Sequence, residues 1–541
     1  MGRKRKIFIY DTTLRDGTQG EGISFSSADK VLLAKKMDAF GIDYIEGGWP
    51  GSNPRDMEFF DLIREESLSH AKIASFGSTR RAGIKVENDA QIKQLIESQS
   101  PVITIFGKAW LLHVKEVLKT TPEENLDMIT ESIAYLKSFG REVIYDAEHF
   151  FDGYKDDPEF ALSTLKAAID GGADLLVLCD TNGGGQLLEF EKIMKSAIRA
   201  FPGQSIGVHC HNDCELGVAL SILGIQIGGV MVQGTINGFG ERVGNANLTS
   251  IIPNLGLKLN YEMTCLKNLS RLKAFSREID RFANQPSDKK APFVGISAFA
   301  HKGGVHANAA KKAVNSYEHI SPAKVGNRRR ILLSDMAGGS SVVMKARELG
   351  LNLKEKSDEM RAFLSVLKSK ENQGYEYENA DASFMVLLYQ HFHGFSDNFK
   401  LVSYRTISEV VRDTDKNISK AVVKIKVDDE PDIKISIAKS PGPVGALDHA
   451  MRIAFGRHFP ELNEVKLMDY KVRIIQTGLG TDSVVQVLMK SGDGREEWWT
   501  CGANPNIIEA SWQALSDSFR YKMLTKYISN KMNSGKSHNR N

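Results

Sequence analysis

Cysteine is scarce in this chain. There are five in 541 residues, an odd number. So sparse a set cannot staple a chain of this size, and it points to reduced thiols and a cytoplasmic address. Long apolar runs are missing too. No stretch approaches the ~20 apolar residues that cross a bilayer, so no membrane span is expected. The apolar run after the basic start Met1-Gly2-Arg3-Lys4-Arg5-Lys6 is too short for a signal peptide and reads as a strand. An excess of one charge is also absent. The net charge is +3, which argues against nucleic acid or any other large polyanionic partner. What remains is an ordinary soluble composition, 42% hydrophobic and 25% charged. Its length calls for about two to four domains.

Short apolar runs rich in β-branched residues recur through the first half. They are Ile7–Tyr10, Tyr44-Ile45, Ile73–Phe76, Val102–Phe106, Val143–Tyr145, Leu175–Leu178, Ile206–Val208 and Val230–Val232. Helical patterns lie between them: Ala28–Phe40, Pro122–Phe139, Pro158–Ile169 and Leu188–Ala200. Ser27-Ala28-Asp29 can cap a helix start, and Gly41, Gly140 and Gly171 follow helix ends. Eight strands alternating with helices fit an α/β fold, a closed parallel (β/α)₈ TIM barrel, better than an open doubly wound sheet.

Such a barrel carries its chemistry at the C-terminal ends of its strands. Reactive side chains do fall just after the apolar runs. Asp11, Arg15, Asp16 and Gln19 follow the first, Glu46 the second and Lys108 the fourth. Asp146 and Glu148 end the fifth, and Asp180, Thr181 and Asn182 end the sixth. Asn237, Glu241, Arg242 and Asn245 follow the eighth.

The seventh run ends in Val208-His209-Cys210-His211-Asn212-Asp213. Strand side chains alternate, so His209 and His211 point the same way and present two imidazoles side by side. Neutral imidazole is a common ligand of borderline divalent metals. Asp16 or Asp11 from the first loop can complete a two-histidine, one-carboxylate set with open positions for substrate. Asp11 could equally cap its turn. Cys210 and Cys214 read as small side chains packed nearby. Arg15 cannot lose its charge, and its fork suits a carboxylate or a developing oxyanion. Gly238-Phe239-Gly240-Glu241-Arg242-Val243-Gly244 has the wrong spacing and place for a dinucleotide fingerprint. Its glycines would let the backbone approach a metal or ligand closely.

Asp11-Thr12-Thr13-Leu14-Arg15-Asp16-Gly17-Thr18-Gln19 resembles the opening motif of the DRE-TIM metallolyases. That family includes the isopropylmalate, homocitrate and citramalate synthases and hydroxymethylglutaryl-CoA lyase. Gly234–Ala246 resembles its second signature, and the His-x-His lies where the family's does. The resemblance implies that Asp16, His209 and His211 are metal ligands, with Asn245 completing or adjoining the site. The metal would be Mn²⁺ or Mg²⁺, with Co²⁺ or Zn²⁺ permitted. Arg15 would polarise the keto oxygen of a 2-oxo acid, and Gln19, Glu148 and Thr181 match polar active-site positions. Around Glu148 the family usually has Glu-Asp-Ala, whereas this chain reads Asp-Ala-Glu-His-Phe-Phe-Asp-Gly. Ala298–Asn308 resembles a segment found after the barrel in the synthases, in which His306 would serve proton transfer with Tyr317 as partner. The lyase lacks that segment, so a synthase condensing acetyl-CoA with a 2-oxo acid is implied.

Residues 1–284 are expected to form the barrel, 285–381 a helical connector reaching a partner subunit, and 382–528 an α+β regulatory domain. Residues 529–541 are expected to be a disordered tail. Leu351–Asn372 is amphipathic, and Glu376–Asp381 is an acidic boundary. Beyond it Met385–Leu388, Ala421–Lys426, Val472–Ile475 and Ser483–Leu488 read as strands, and Pro443–Gly456 and Pro505–Tyr521 as helices. Strands followed by a helix, twice, suggest internal duplication. Asp448, Asp482 and Glu509 could serve a small ligand, although surface positions account for them as well. The segment resembles the family's regulatory domain, which implies a branched-chain amino acid effector, while the connector's reach in related synthases implies a homodimer.

Glu148–Tyr154 and Gly48–Pro54 look most like the citramalate synthase branch. That would make pyruvate the oxo acid and isoleucine the effector. Phe76 and Phe106, at the ends of the third and fourth strands, could fill the pocket against a larger substituent. The alternatives are 2-oxoisovalerate as substrate, as in isopropylmalate synthase, and a non-catalytic amino-acid-sensing scaffold. The scaffold would predict broken active-site chemistry, whereas Arg15, Asp16, both histidines and His306 are all present.

Overall fold

A computed structural model of the protein describes residues 5–301, 318–331, 339–349, 351–354, 357–396, 399–411, 416–427, 432–456, 458–475 and 483–537. These residues fall into two compact units. One runs to Phe299 and takes in Glu318–Arg329; the other comprises Ala300, His301 and the residues from Arg330 onward.

The first unit is the expected barrel. Its strands are β1 (Phe8–Asp11), β2 (Tyr44–Gly48), β3 (Lys72–Ser78), β4 (Val102–Lys108), β5 (Glu142–Glu148), β6 (Leu175–Asp180), β7 (Ile206–Cys210) and β8 (Met231–Gly234). They close in chain order, which excludes the open sheet. β1 meets β8 in parallel, with Phe8 opposite Met231 and Asp11 opposite Gly234.

Two-residue alternation sorts each strand between two apolar cores. In β6, Leu176 and Leu178 pack outward against the helices, while Leu175, Val177 and Cys179 belong to a separate cluster with Tyr10, Val102, Ile144 and Met231 inside the barrel. The same alternation aims Glu46, Thr104, Asp146, His209 and Gln233 inward. The helix Ser27–Phe40 starts one residue earlier than its pattern suggested. Ser26 is the cap, in a reciprocal box with Asp29.

The second unit is α+β. Strands β9 (Ala300–His301) and β10 (Arg330–Ile331) form a short parallel pair. Helices Gly339–Glu348, Asp358–Asn372 and Asp381–His393 follow. Two antiparallel three-stranded sheets come next: β11 (Phe399–Val411), β12 (Lys416–Val427) and β13 (Ile433–Ser440), then β14 (Lys466–Ile474), β15 (Val485–Gly492) and β16 (Glu497–Asn504). The helix Pro443–Phe455 follows the first sheet and Ile507–Ser537 the second, giving the duplicated plan.

Two expectations are corrected. Met385–Leu388 is helical, within Asp381–His393. A short apolar run cannot separate a strand from a buried helix, and here residues on all sides of the helix, from Ala382 to Tyr389, are packed into a core. The last helix also continues to Ser537, into the stretch expected to be an unstructured tail. Among the described residues no helix is long and apolar enough to cross a membrane.

Candidate active site

The loop after β1 folds into a short 3₁₀ helix, Asp16–Gln19, which tucks Asp16 into the barrel mouth. Asp16 Oδ2 lies 3.5 Å from His209 Nε2 and 3.9 Å from His211 Nε2. All three side chains are buried, and their donor atoms lie within 4.8 Å of one another. Burial would raise the Asp16 pKa, but the Arg15 charge foremost outweighs it and holds the carboxyl below its usual value. Burial pushes His209 down to about 4, leaving a neutral imidazole at neutral pH. His211 is lowered by the same cause.

Two neighbouring polar atoms are buried without a partner: Asn245 Oδ1 and His211 Nδ1. The Asn245 amide nitrogen donates to the Phe239 carbonyl at 3.2 Å, which leaves its oxygen free to accept. One carboxylate, two neutral imidazoles and an orphaned amide oxygen fit a divalent cation. The glycines of the second signature serve this arrangement locally. A Cβ on Gly240 would stand 2.3 Å from Asn245 Nδ2, so the backbone closes on Asn245.

Arg15 is gripped from below. Its Nε donates to Glu46 Oε1 at 2.5 Å, and Glu46 Oε2 accepts from the Tyr10 hydroxyl at 2.7 Å. Tyr10 in turn pairs with the Thr104 hydroxyl at 2.7 Å. The guanidinium lies on the Phe76 ring and reaches within 3.7 Å of Asp16. Phe76 stacks on Phe106, and Trp49 meets both rings edge-on. Phe76 is therefore first of all the shelf under Arg15. Trp49 completes a three-ring wall that sequence reasoning did not assemble.

The remaining expected residues divide. Glu148 stands at the end of β5, paired with Lys108. The Thr181 hydroxyl accepts from the His149 backbone N–H at 2.9 Å. Gln19 closes its 3₁₀ helix and is exposed. Asp11 is the turn cap, accepting from the Thr13 N–H at 2.8 Å. Asn237 turns away to Ser276 and Asp280, and Glu241 is exposed. Neither Cys210 nor Cys214 joins the donor group. His306 and Tyr317 lie outside the described residues, as does Asp482. In the second unit Asp448 pairs with Arg452, and Glu509 accepts from Tyr404.

Gln233 was not recognised as a site residue, and Asp146 only as one of the reactive side chains ending the fifth strand. The His209 Nδ1–H donates to Gln233 Oε1 at 2.9 Å, and Gln233 Nε2 donates to Asp146 Oδ1 at 2.9 Å. Burial, then Glu46, pushes the Asp146 carboxyl well above the usual range. Strand alternation already placed both residues inside the barrel.

Residues 6–275 match the HMGL-like family model. The chain is 48% identical over 519 residues to an (R)-citramalate synthase of Aquifex aeolicus, covering 96% of this chain and 98% of that protein. It is also 48% identical over 517 residues to that of Geobacter sulfurreducens, covering 96% and 97%. The chain belongs to the (R)-citramalate synthase family. A 2-isopropylmalate synthase of Methanocaldococcus jannaschii is more distant, 31% identical over 532 residues, with 96% and 95% covered. In this citramalate synthase family member the residues after the barrel strands have matching models too. Residues 293–374 match the homocitrate synthase post-HMGL domain-like model, and 378–523 the LeuA allosteric (dimerisation) domain.

Proposed function

We propose that the chain condenses acetyl-CoA with pyruvate and water to give (R)-citramalate and CoA, feeding isoleucine biosynthesis in the cytoplasm. The carrying observation is the buried Asp16–His209–His211 group beside a fixed Arg15, in a chain matching citramalate synthases along nearly its whole length.

Asp16, His209, His211 and the Asn245 amide oxygen would hold the divalent ion, Mn²⁺ or Mg²⁺ foremost, with Co²⁺ and Zn²⁺ compatible with the donors. When bound, such an ion supplies Lewis-acid polarisation of a keto group. Arg15 donates to the keto oxygen and stabilises the alkoxide that develops there; Glu46 and Phe76 hold it ready, so no reorganisation is needed. Glu148, Thr181 and Gln19 offer polar contacts at the rim. His306, with Tyr317, takes the methyl proton of acetyl-CoA, an assignment that rests on their sequence motif. The resulting carbanion forms the new C–C bond to the keto carbon. Hydrolysis of the thioester then releases CoA and makes the step irreversible in practice.

The homodimer reading has a physical support of its own. On β13, Ile433, Ile435 and Ile437 are 49%, 60% and 63% exposed, while Ser436 and Ala438 on the other face are buried. A row of isoleucines in water calls for a partner, and a second copy makes a homodimer. Isoleucine is the proposed effector.

The test is CoA release from acetyl-CoA with pyruvate, 2-oxoisovalerate or 2-oxoglutarate, with Mn²⁺ and after EDTA. Metal-dependent release with pyruvate supports the reading. Preference for 2-oxoisovalerate overturns the substrate, and no release with any oxo acid overturns the enzyme.

A further inference from the structure

Under the Asp16–His209–His211 group runs a short polar chain that no step of the condensation uses. Strand register creates it: His209 of β7 lies directly opposite Gln233 of β8. Gln233 is fully buried and spans from the His209 ring to the Asp146 carboxyl, with 2.9 Å at each contact. His211 has no such support, since its Nδ1 is buried without a partner.

A glutamine amide has two faces, one accepting and one donating. With the carbonyl toward His209, the ring proton sits on Nδ1. The Nε2 lone pair then faces Asp16. Turned over, the amide would present N–H to Nδ1, and the ring proton would move to Nε2. A protonated Nε2 cannot bind a cation. A carboxyl, charged or neutral, presents an acceptor oxygen, and here that oxygen meets Gln233 Nε2. Turning the amide over would set two acceptor oxygens face to face at Asp146 unless the acid proton moved to the facing oxygen.

We infer that Gln233 is a positioning residue: its carbonyl fixes His209 in the tautomer that leaves Nε2 free for a metal ion, and Asp146 holds the amide that way round. The inference rests on the metal-site reading above. Asp146 acts through Gln233 and touches neither the ion nor the substrate. Orienting partners of this kind are worth about 10- to 100-fold in metal affinity.

The experiment uses the full chain, stripped of metal and titrated with Mn²⁺ by electron paramagnetic resonance. Gln233→Met removes the acceptor, and Mn²⁺ binding should weaken by about 10- to 100-fold. Gln233→Glu restores an acceptor toward Nδ1 and should recover most of that loss. Histidine-labelled ¹⁵N spectra of the metal-free protein, with the signal assigned through His209→Asn, should show the proton on Nδ1 in the wild type and in Gln233→Glu. In Gln233→Met that preference should be lost. A folded Gln233→Met with unchanged tautomer and affinity overturns the inference. So does a Gln233→Glu that binds no better than Gln233→Met. If the wild type binds no Mn²⁺, the metal-site reading falls, and the ¹⁵N spectra still decide the role of Gln233 in the tautomer.

Discussion

The Arg15 guanidinium carbon stands 3.7 Å above the centre of the Phe76 ring. A cation on an aromatic face gains electrostatic attraction and loses freedom. With Nε tied to Glu46, Arg15 is held on one edge and one face, and its remaining N–H groups are directed by that grip. Phe76→Tyr keeps the shelf, and near-normal kcat is expected. Phe76→Ala removes it; kcat should fall about tenfold or more, with about 3 kcal/mol of stability lost. Steady-state kinetics with a denaturation curve on the same samples separate the two effects.

Phe106 stacks on Phe76 from β4 and lies in the three-ring wall with Trp49. Opening that wall should admit a larger oxo acid. Phe106→Ala is expected to shift the kcat/KM ratio of 2-oxoisovalerate over pyruvate upward by about tenfold. An unchanged ratio removes Phe106 from the substrate pocket.

Burial lowers the His209 pKa from 6.5 to about 4. The unfolded chain therefore takes a proton that the folded chain refuses between those values. Stability of the metal-free protein should fall as pH drops through that window, by on the order of 3 kcal/mol, and level off below it. Metal binding displaces little proton from such a ring. Mn²⁺ affinity at pH ~5.5 should stay within about tenfold of its value at pH ~7.5, whereas two ordinary histidines would cost about a hundredfold. Calorimetric titration at both values checks this.

Asp11 shows the opposite sign. Burial raises its carboxyl from 3.8 to about 7, and Oδ2 is buried without a partner. The folded chain keeps a proton that the unfolded chain releases, so this group erodes stability as pH rises toward 7. Asp11→Asn retains an acceptor for the Thr13 N–H and cannot ionise. It should stabilise the protein at pH ~8 by on the order of 4 kcal/mol and leave stability near pH ~4 almost unchanged. Urea denaturation at the two values decides it.

Ile435 is 60% exposed at the centre of the isoleucine row on β13. Ile435→Lys should leave the chain folded and convert a dimer to monomers at micromolar concentration. Sedimentation velocity reads the outcome, and an unchanged dimer places the interface elsewhere.

The barrel was legible because its signals are local and repeated. Every strand carries β-branched residues, and chemistry follows each run. The donor group was legible because two histidines two apart on a strand must share a face, and because the motif around Asp16 is specific. Gln233 was harder: a glutamine before a glycine has no signature, and its partner Asp146 is 87 residues away in sequence. Only closure of the barrel sets the two side by side. Phe76 looked like pocket filling because an aromatic at a strand end is equally suited to a wall and to a cation. Met385–Leu388 was misread because four apolar residues hold too little periodicity to choose between 2.0 and 3.6 residues per turn.

The meeting of β1 with β8 has a consequence for how the molecule is made. Asp16 follows the first strand and Asn245 the last of the barrel, with His209 on β7 and His211 just past its end. The donors therefore straddle the seam where the ring of strands is joined. No nascent chain that stops short of Asn245 can present all four together, since the carboxylate near the start waits for partners at the last two strands of the barrel. A cation binding there acts as a buckle across the join. At a hundredfold excess over Kd it adds about 2.7 kcal/mol, all of it credited to the closed ring. A metal ion at the proposed site would therefore favour the closed ring, and removing it should lower the stability of the barrel.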